Sequence, residues 1–78
     1  MKEYSWEVTL YAQVDFDDIN EELEALKEDE YYQKCDIDEL VEEAVSLSLA
    51  GLDDAEYYSM TFEIRERIIK DFKEWKGL

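Results

Sequence analysis

Hydrophobic and polar residues alternate along positions 4 to 16 of this chain. Tyr4, Trp6, Val8, Leu10, Ala12, Val14 and Phe16 share one parity, Ser5, Glu7, Thr9, Gln13 and Asp15 the other, and Tyr11 is the exception. A period of two over this length predicts a strand packed on one side only, as in an antiparallel sheet. The period then changes. Ile19, Leu23 and Leu26 mark a narrow apolar stripe on a helix opened by Asp17 or Asp18, and Asp18 with Glu21 has capping-box spacing. Its end falls near Glu28-Asp29-Glu30, where negative charge opposes the helix dipole, so a break is expected before Tyr31-Tyr32.

Asp36 and Glu39 repeat the capping spacing beside the stripe Ile37, Leu40, Val41, Ala44 and Val45, with Gly51 as the C-cap candidate. Tyr58, Met60, Phe62 and Ile64 alternate with Ser59, Thr61 and Glu63, which predicts a second strand. Ile68, Ile69, Phe72 and Trp75 then predict a short C-terminal helix. The expected order is β-α-α-β-α: one α+β domain over residues 1–78, with a two-stranded antiparallel sheet packed against helices. Trp6, Phe16, Phe62, Phe72 and Trp75 fall at core periodicity, whereas Tyr11, Tyr31, Tyr32 and Tyr57 do not fit the apolar faces of their elements. A two-stranded sheet leaves two edges, which helices or homodimerisation would protect.

Charge changes this picture more than composition does. The apolar fraction of 46% supports a core, but the net charge is -15 and opposes compaction. Residues 1–14 set Glu3 and Glu7 against Lys2, and residues 57–78 set four acids against five bases. Residues 15–56 hold seventeen acids against Lys27 and Lys34 alone, so the entire surplus lies in the helix hairpin and its flanks. A solvated helix ordinarily interleaves bases at i,i+4. Here Asp38, Glu39, Glu42 and Glu43 have none among them.

Carboxylates three or four residues apart on a helix recur about every 5.4 Å along one strip. Duplex DNA presents about one charge per 1.7 Å of axis to the Lys and Arg of its binders. Two acidic helices side by side could therefore imitate rows of phosphates. The candidate partner-binding residues are Asp17, Asp18, Glu21, Glu22, Glu28, Asp29, Asp38, Glu39, Glu42 and Glu43, with Tyr31 and Tyr32 as aromatic anchors.

In size, acidity and the concentration of charge between Asp15 and Glu56, the chain resembles the small acidic inhibitors encoded by phages, which include anti-CRISPR proteins and other DNA mimics. The resemblance is one of composition and organisation, and no motif carries a functional residue across. It implies a basic nucleic-acid-binding partner, such as a CRISPR effector or another defence nuclease, met in the cytoplasm of a host cell. It implies no direct contact with nucleic acid or membrane. The alternative reading is a small assembly module that homodimerises through its sheet edge.

Catalytic readings find little support. There is no histidine, which removes the commonest general base and neutral metal ligand. Cys35 is alone, so it has no intramolecular disulfide partner and no Cys-His pairing, and it reads as a semi-buried structural thiol of a reducing compartment. Two glycines cannot build a phosphate loop. A calcium loop from Asp15 places Ile19, Asn20 and Leu26 at its fifth, sixth and twelfth positions, and one from Asp36 is broken by Leu40 and Val41. No convergent set stands out among the 23 acids for a carboxylate-only metal enzyme. The five bases near the C-terminus interleave with Glu63, Glu66, Asp71 and Glu74, and are expected to form a solvated face paired with the acidic hairpin. No cofactor is expected. The opening residues lack the apolar core of a signal peptide, and no apolar run nears the roughly 20 residues of a membrane span.

Overall fold

The computed structural model describes residues 2–7, 10–52 and 59–78. Among them the chain forms strands β1 (Lys2–Ser5) and β2 (Tyr11–Val14) and helices α1 (Phe16–Glu28), α2 (Ile37–Leu49) and α3 (Phe62–Lys76). A single 3-10 turn, Glu30–Tyr32, lies between α1 and α2. The class is α+β with a two-stranded antiparallel sheet, as the sequence predicts, but both strands come from the N-terminal segment instead of one from each end of the chain.

The alternating segment 4–16 is a hairpin, not one long strand. Lys2 pairs with Val14, Glu3 with Gln13, Tyr4 with Ala12 and Ser5 with Tyr11. The Trp6 amide donates to the Leu10 carbonyl and the Leu10 amide to the Glu7 carbonyl, each at 3.3 Å. Even residues pair with even ones in this register, so the fold-back preserves the alternation. Tyr4, Ala12 and Val14 are buried on one face while Glu3, Ser5, Tyr11 and Gln13 are exposed on the other.

The second strand expected over 58–64 is overturned where it is described. Thr61 is an N-cap whose hydroxyl accepts from the Ile64 amide at 3.3 Å, and helix begins at Phe62. Phe62, on the solvent side of that first turn, is 75% exposed instead of buried. Tyr57 and Tyr58 lie outside the described residues. Ile64, Ile68 and Phe72 recur every four residues and form the buried stripe of α3.

Caps set the other boundaries. Asp15, not Asp17 or Asp18, opens α1, with its carboxylate accepting from the Asp17 amide at 2.9 Å. Helix α1 stops at Glu28 as its charge pattern predicts, and Asp29 accepts from the Tyr31 amide to start the 3-10 turn. Asp36 accepts from the Glu39 amide at 2.9 Å, so the predicted cap of α2 forms. Gly51 is not a left-handed cap. The α2 C-cap is Ala50 in ordinary right-handed geometry, and the left-handed residue is Gly77 (φ 82°), which closes α3.

Ile19, Leu23 and Leu26 of α1 pack against Leu40, Val41, Ala44, Val45 and Leu49 of α2, with Ile64, Ile68 and Phe72 of α3 completing one core. Each fully buried side chain of this size contributes about 1.5–3 kcal/mol relative to exposure. Polar contacts tie the sheet to α3 and the residue after β1 to the segment before α3. The Tyr4 hydroxyl donates to Asp71 Oδ2 at 2.8 Å, and the Trp6 indole to Ser59 Oγ at 3.2 Å. No helix among the described residues is long and apolar enough to cross a membrane.

Candidate acidic surface

The α1–α2 hairpin presents its acids because its apolar stripes face each other and α3. Helices α1 and α2 run antiparallel, so the first two turns of α1 meet the last turn of α2. Between them lies a groove of about 320 Å³, edged by Asp15, Asp18, Glu21 and Glu22 on one side and by Leu47 and Ser48 on the other.

This arrangement divides the predicted surface in two. Asp17, Asp18, Glu21 and Glu22, all exposed, stand at the open end of the hairpin. Glu28, Asp29, Tyr31 and Tyr32 gather at the connected end with the first turns of α2, which carry Asp38, Glu39, Glu42 and Glu43. Asp17, Glu21 and Glu28 have i,i+4,i+11 spacing and link the two groups along one face of α1, over roughly 16 Å. Tyr31 is 81% exposed and meets the Tyr32 ring edge to face, with centroids 4.9 Å apart. Burial, and then the Glu43 carboxylate, raise the Tyr32 phenol above its ordinary range.

Three of the acids have local work. Asp15, Asp29 and Asp36 cap helical turns, and Asp29 does so while remaining exposed. Two others are neutralised from α3, as the interleaved bases predict. Lys73 Nζ lies 2.6 Å from Asp38 Oδ1, and Lys76 Nζ lies 3.1 Å from Glu24 Oε1 while also donating to Asn20 Oδ1. Lys27 reaches the same Glu24 oxygen at 3.3 Å. The bonds from Lys76 and Lys27 lower the Glu24 pKa, and the bond to Asp38 raises that of Lys73. Asp38 is therefore partly neutralised within the molecule, unlike its neighbours in the predicted set. Of the fourteen acids between residues 15 and 52, ion pairs among the described residues take Glu24 and Asp38 alone.

Cys35 is half-buried. Burial, a hydrogen bond to Glu39 and the nearby Asp36 charge all raise its pKa, which keeps the thiol protonated and a poor nucleophile. Among the described residues no group of three or more Cys, Asp or Glu side chains has a geometry that could hold a metal ion.

Trp75, expected in the core, turns outward. Trp75 is 49% exposed, and with half-buried Phe16 it forms a notch beside the start of α1. The aromatic spacing in the sequence could not show this, because it does not distinguish the centre of an apolar stripe from its rim. Comparison of the chain with protein-family models, curated proteins and solved structures finds no match.

Proposed function

We propose that this protein acts by occupation and not by catalysis: its acidic hairpin docks into the basic nucleic-acid-binding groove of another protein and blocks it. The reading places it beside the small acidic phage-encoded inhibitors of the anti-CRISPR and DNA-mimic kind, acting in the cytoplasm. The observation that carries it is the distribution of counter-charge. Among the described residues the ion pairs from α3 to the hairpin end on Glu24 and Asp38, leaving Asp17, Asp18, Glu21, Glu22 and Glu28 on α1 and Glu39, Glu42 and Glu43 on α2 without an ion-pair partner there. Like charges at i,i+4 each cost a few tenths of a kcal/mol. A cationic groove would relieve that repulsion, and association would be fast and salt-sensitive.

The test is capture of partners from a candidate host lysate at low salt, with elution by duplex DNA and then by salt. A nucleic-acid-binding protein displaced by DNA is the expected result. Reversal of Glu39, Glu42 and Glu43 to Lys should abolish capture while the circular dichroism spectrum stays native. Capture that ignores both DNA and charge reversal would overturn the proposal.

The sheet supports a second reading. Both strands are short and each pairs on one side only among the described residues, so a second copy could extend the sheet. That reading requires a concentration-dependent oligomer sensitive to substitution of the exposed Tyr11 and insensitive to the hairpin reversals.

A further inference from the structure

The notch formed by Phe16 and Trp75 lies where the end of β2, the first turn of α1 and the last turn of α3 meet. Its volume is about 260 Å³, and Lys2, Val14, Asp15 and Asp17 complete its lining. The two ring centroids are 5.8 Å apart with planes inclined at 57°, and Phe72 backs both rings from the core. Trp75 thus offers an indole held in place from behind and open to solvent in front. A fixed aromatic wall beside carboxylates is the arrangement that attracts a cationic side chain, through the ring quadrupole and through charge.

The positive end of the α1 dipole faces the notch from one side and the negative end of the α3 dipole from the other, and the two oppose each other. Lys73 and Lys76, in the last turn of α3, reach away to Asp38, Asn20 and Glu24. Lys2 lines the notch, but its ammonium lies 4.0 Å from Asp71 Oδ2 and is drawn toward that carboxylate. Asp15 and Asp17 therefore set the sign, and among the described residues Asp15 commits only Oδ1, to the Asp17 amide.

We infer that the Phe16–Trp75 notch seats an arginine side chain of a protein partner, with the guanidinium against the indole and its charge facing Asp15 and Asp17. Arginine fits better than lysine because its planar group stacks on an aromatic face and is less strongly hydrated. The inference deepens the proposed function and rests on it for the partner, since the notch adjoins Asp17 and Asp18 at the open end of the hairpin.

The experiment is an NMR titration of the full chain with acetyl-Gly-Arg-Gly-amide, and with the uncharged citrulline peptide as control. The Trp75 indole N–H is the reporter, and the Trp6 indole N–H controls for general accumulation of cations on an acidic protein. The arginine peptide should shift the Trp75 signal saturably and leave Trp6 in place, while the citrulline peptide shifts neither. Asp17→Asn should weaken the arginine response by about two- to fivefold, the size of one exposed cation–π or ion-pair contact. Lys2→Met should strengthen it by a similar factor, because a competing cation is removed. Equal responses to both peptides, or weaker binding by Lys2→Met, would overturn the assignment. The reporter is a ring in the notch and not capture of a partner, so this inference and the hairpin reading can fail separately.

Discussion

Lys73 Nζ lies 2.6 Å from Asp38 Oδ1, tying the last turns of α3 to the first turn of α2. The pair joins the basic-rich helix α3 to an acidic helix that carries no base of its own, and it has a definite pH signature. The pairing raises the Lys73 pKa in the folded state. Its contribution to stability is therefore complete below the unfolded lysine value, near pH 10.4, and disappears as pH rises through the higher folded value. Melting temperatures of the wild type and Lys73→Met should differ at neutral pH and converge in strong alkali. A difference that persists unchanged there would show that Lys73 acts through its methylene packing and not its charge.

Asp36 combines a helix cap with one more negative charge on an overcharged hairpin, and two substitutions separate these effects. Asp36→Ala removes the acceptor of the Glu39 amide and should cost about 1 kcal/mol. Asp36→Asn keeps an acceptor and removes the charge, so it should be neutral or stabilising. Urea denaturation of the two variants reads the order directly. The reverse order would mean that charge, not capping, governs the start of α2.

Phe62 and Phe72 look equivalent in composition and differ completely in place. Phe72 is fully buried in the core with Phe16 and Trp75 against its ring, and Phe72→Ala should cost about 3–5 kcal/mol, enough to unfold a domain of this size. Phe62→Ala should change stability by less than about 0.5 kcal/mol, as exposed positions usually do. A large loss at Phe62 would restore the strand that its alternation predicts.

Salt should stabilise the fold. The net charge of -15 is concentrated on one hairpin, and screening shortens the reach of its repulsion to about 3 Å at 1 M ionic strength. The melting temperature should therefore rise steadily with sodium chloride, faster in wild type than in the Glu39, Glu42, Glu43 triple lysine variant. A flat or falling curve would show that the pairs made by Lys73 and Lys76 outweigh the repulsion among the remaining acids.

The helices were legible because their apolar stripes and aspartate caps are local signals. The hairpin was not, because cross-strand partners share parity and the turn between Trp6 and Leu10 carries no Gly, Pro or Asn to mark it. The start of α3 is ambiguous in the sequence for a related reason. Tyr58, Met60, Phe62 and Ile64 satisfy a period of two, but Met60, Ile64, Ile68 and Phe72 also satisfy a spacing of four that runs on into the helix. The longer pattern prevails because Ile64 must be buried and Phe62 need not be. At the candidate surface, the acids were legible as charge. Their division between two ends of the hairpin, and the outward turn of Trp75, depend on how elements distant in sequence are packed.

The confinement of all but one of the described bases beyond the hairpin to α3 has a consequence before any contact is made. A helix of slight positive charge packed against a strongly negative hairpin gives the molecule a large electric moment as well as a net charge. In the field of a basic partner, such a molecule experiences a torque and not merely an attraction. It would approach already rotated, with α3 trailing and the carboxylates leading, so that a smaller share of encounters is lost to wrong orientation.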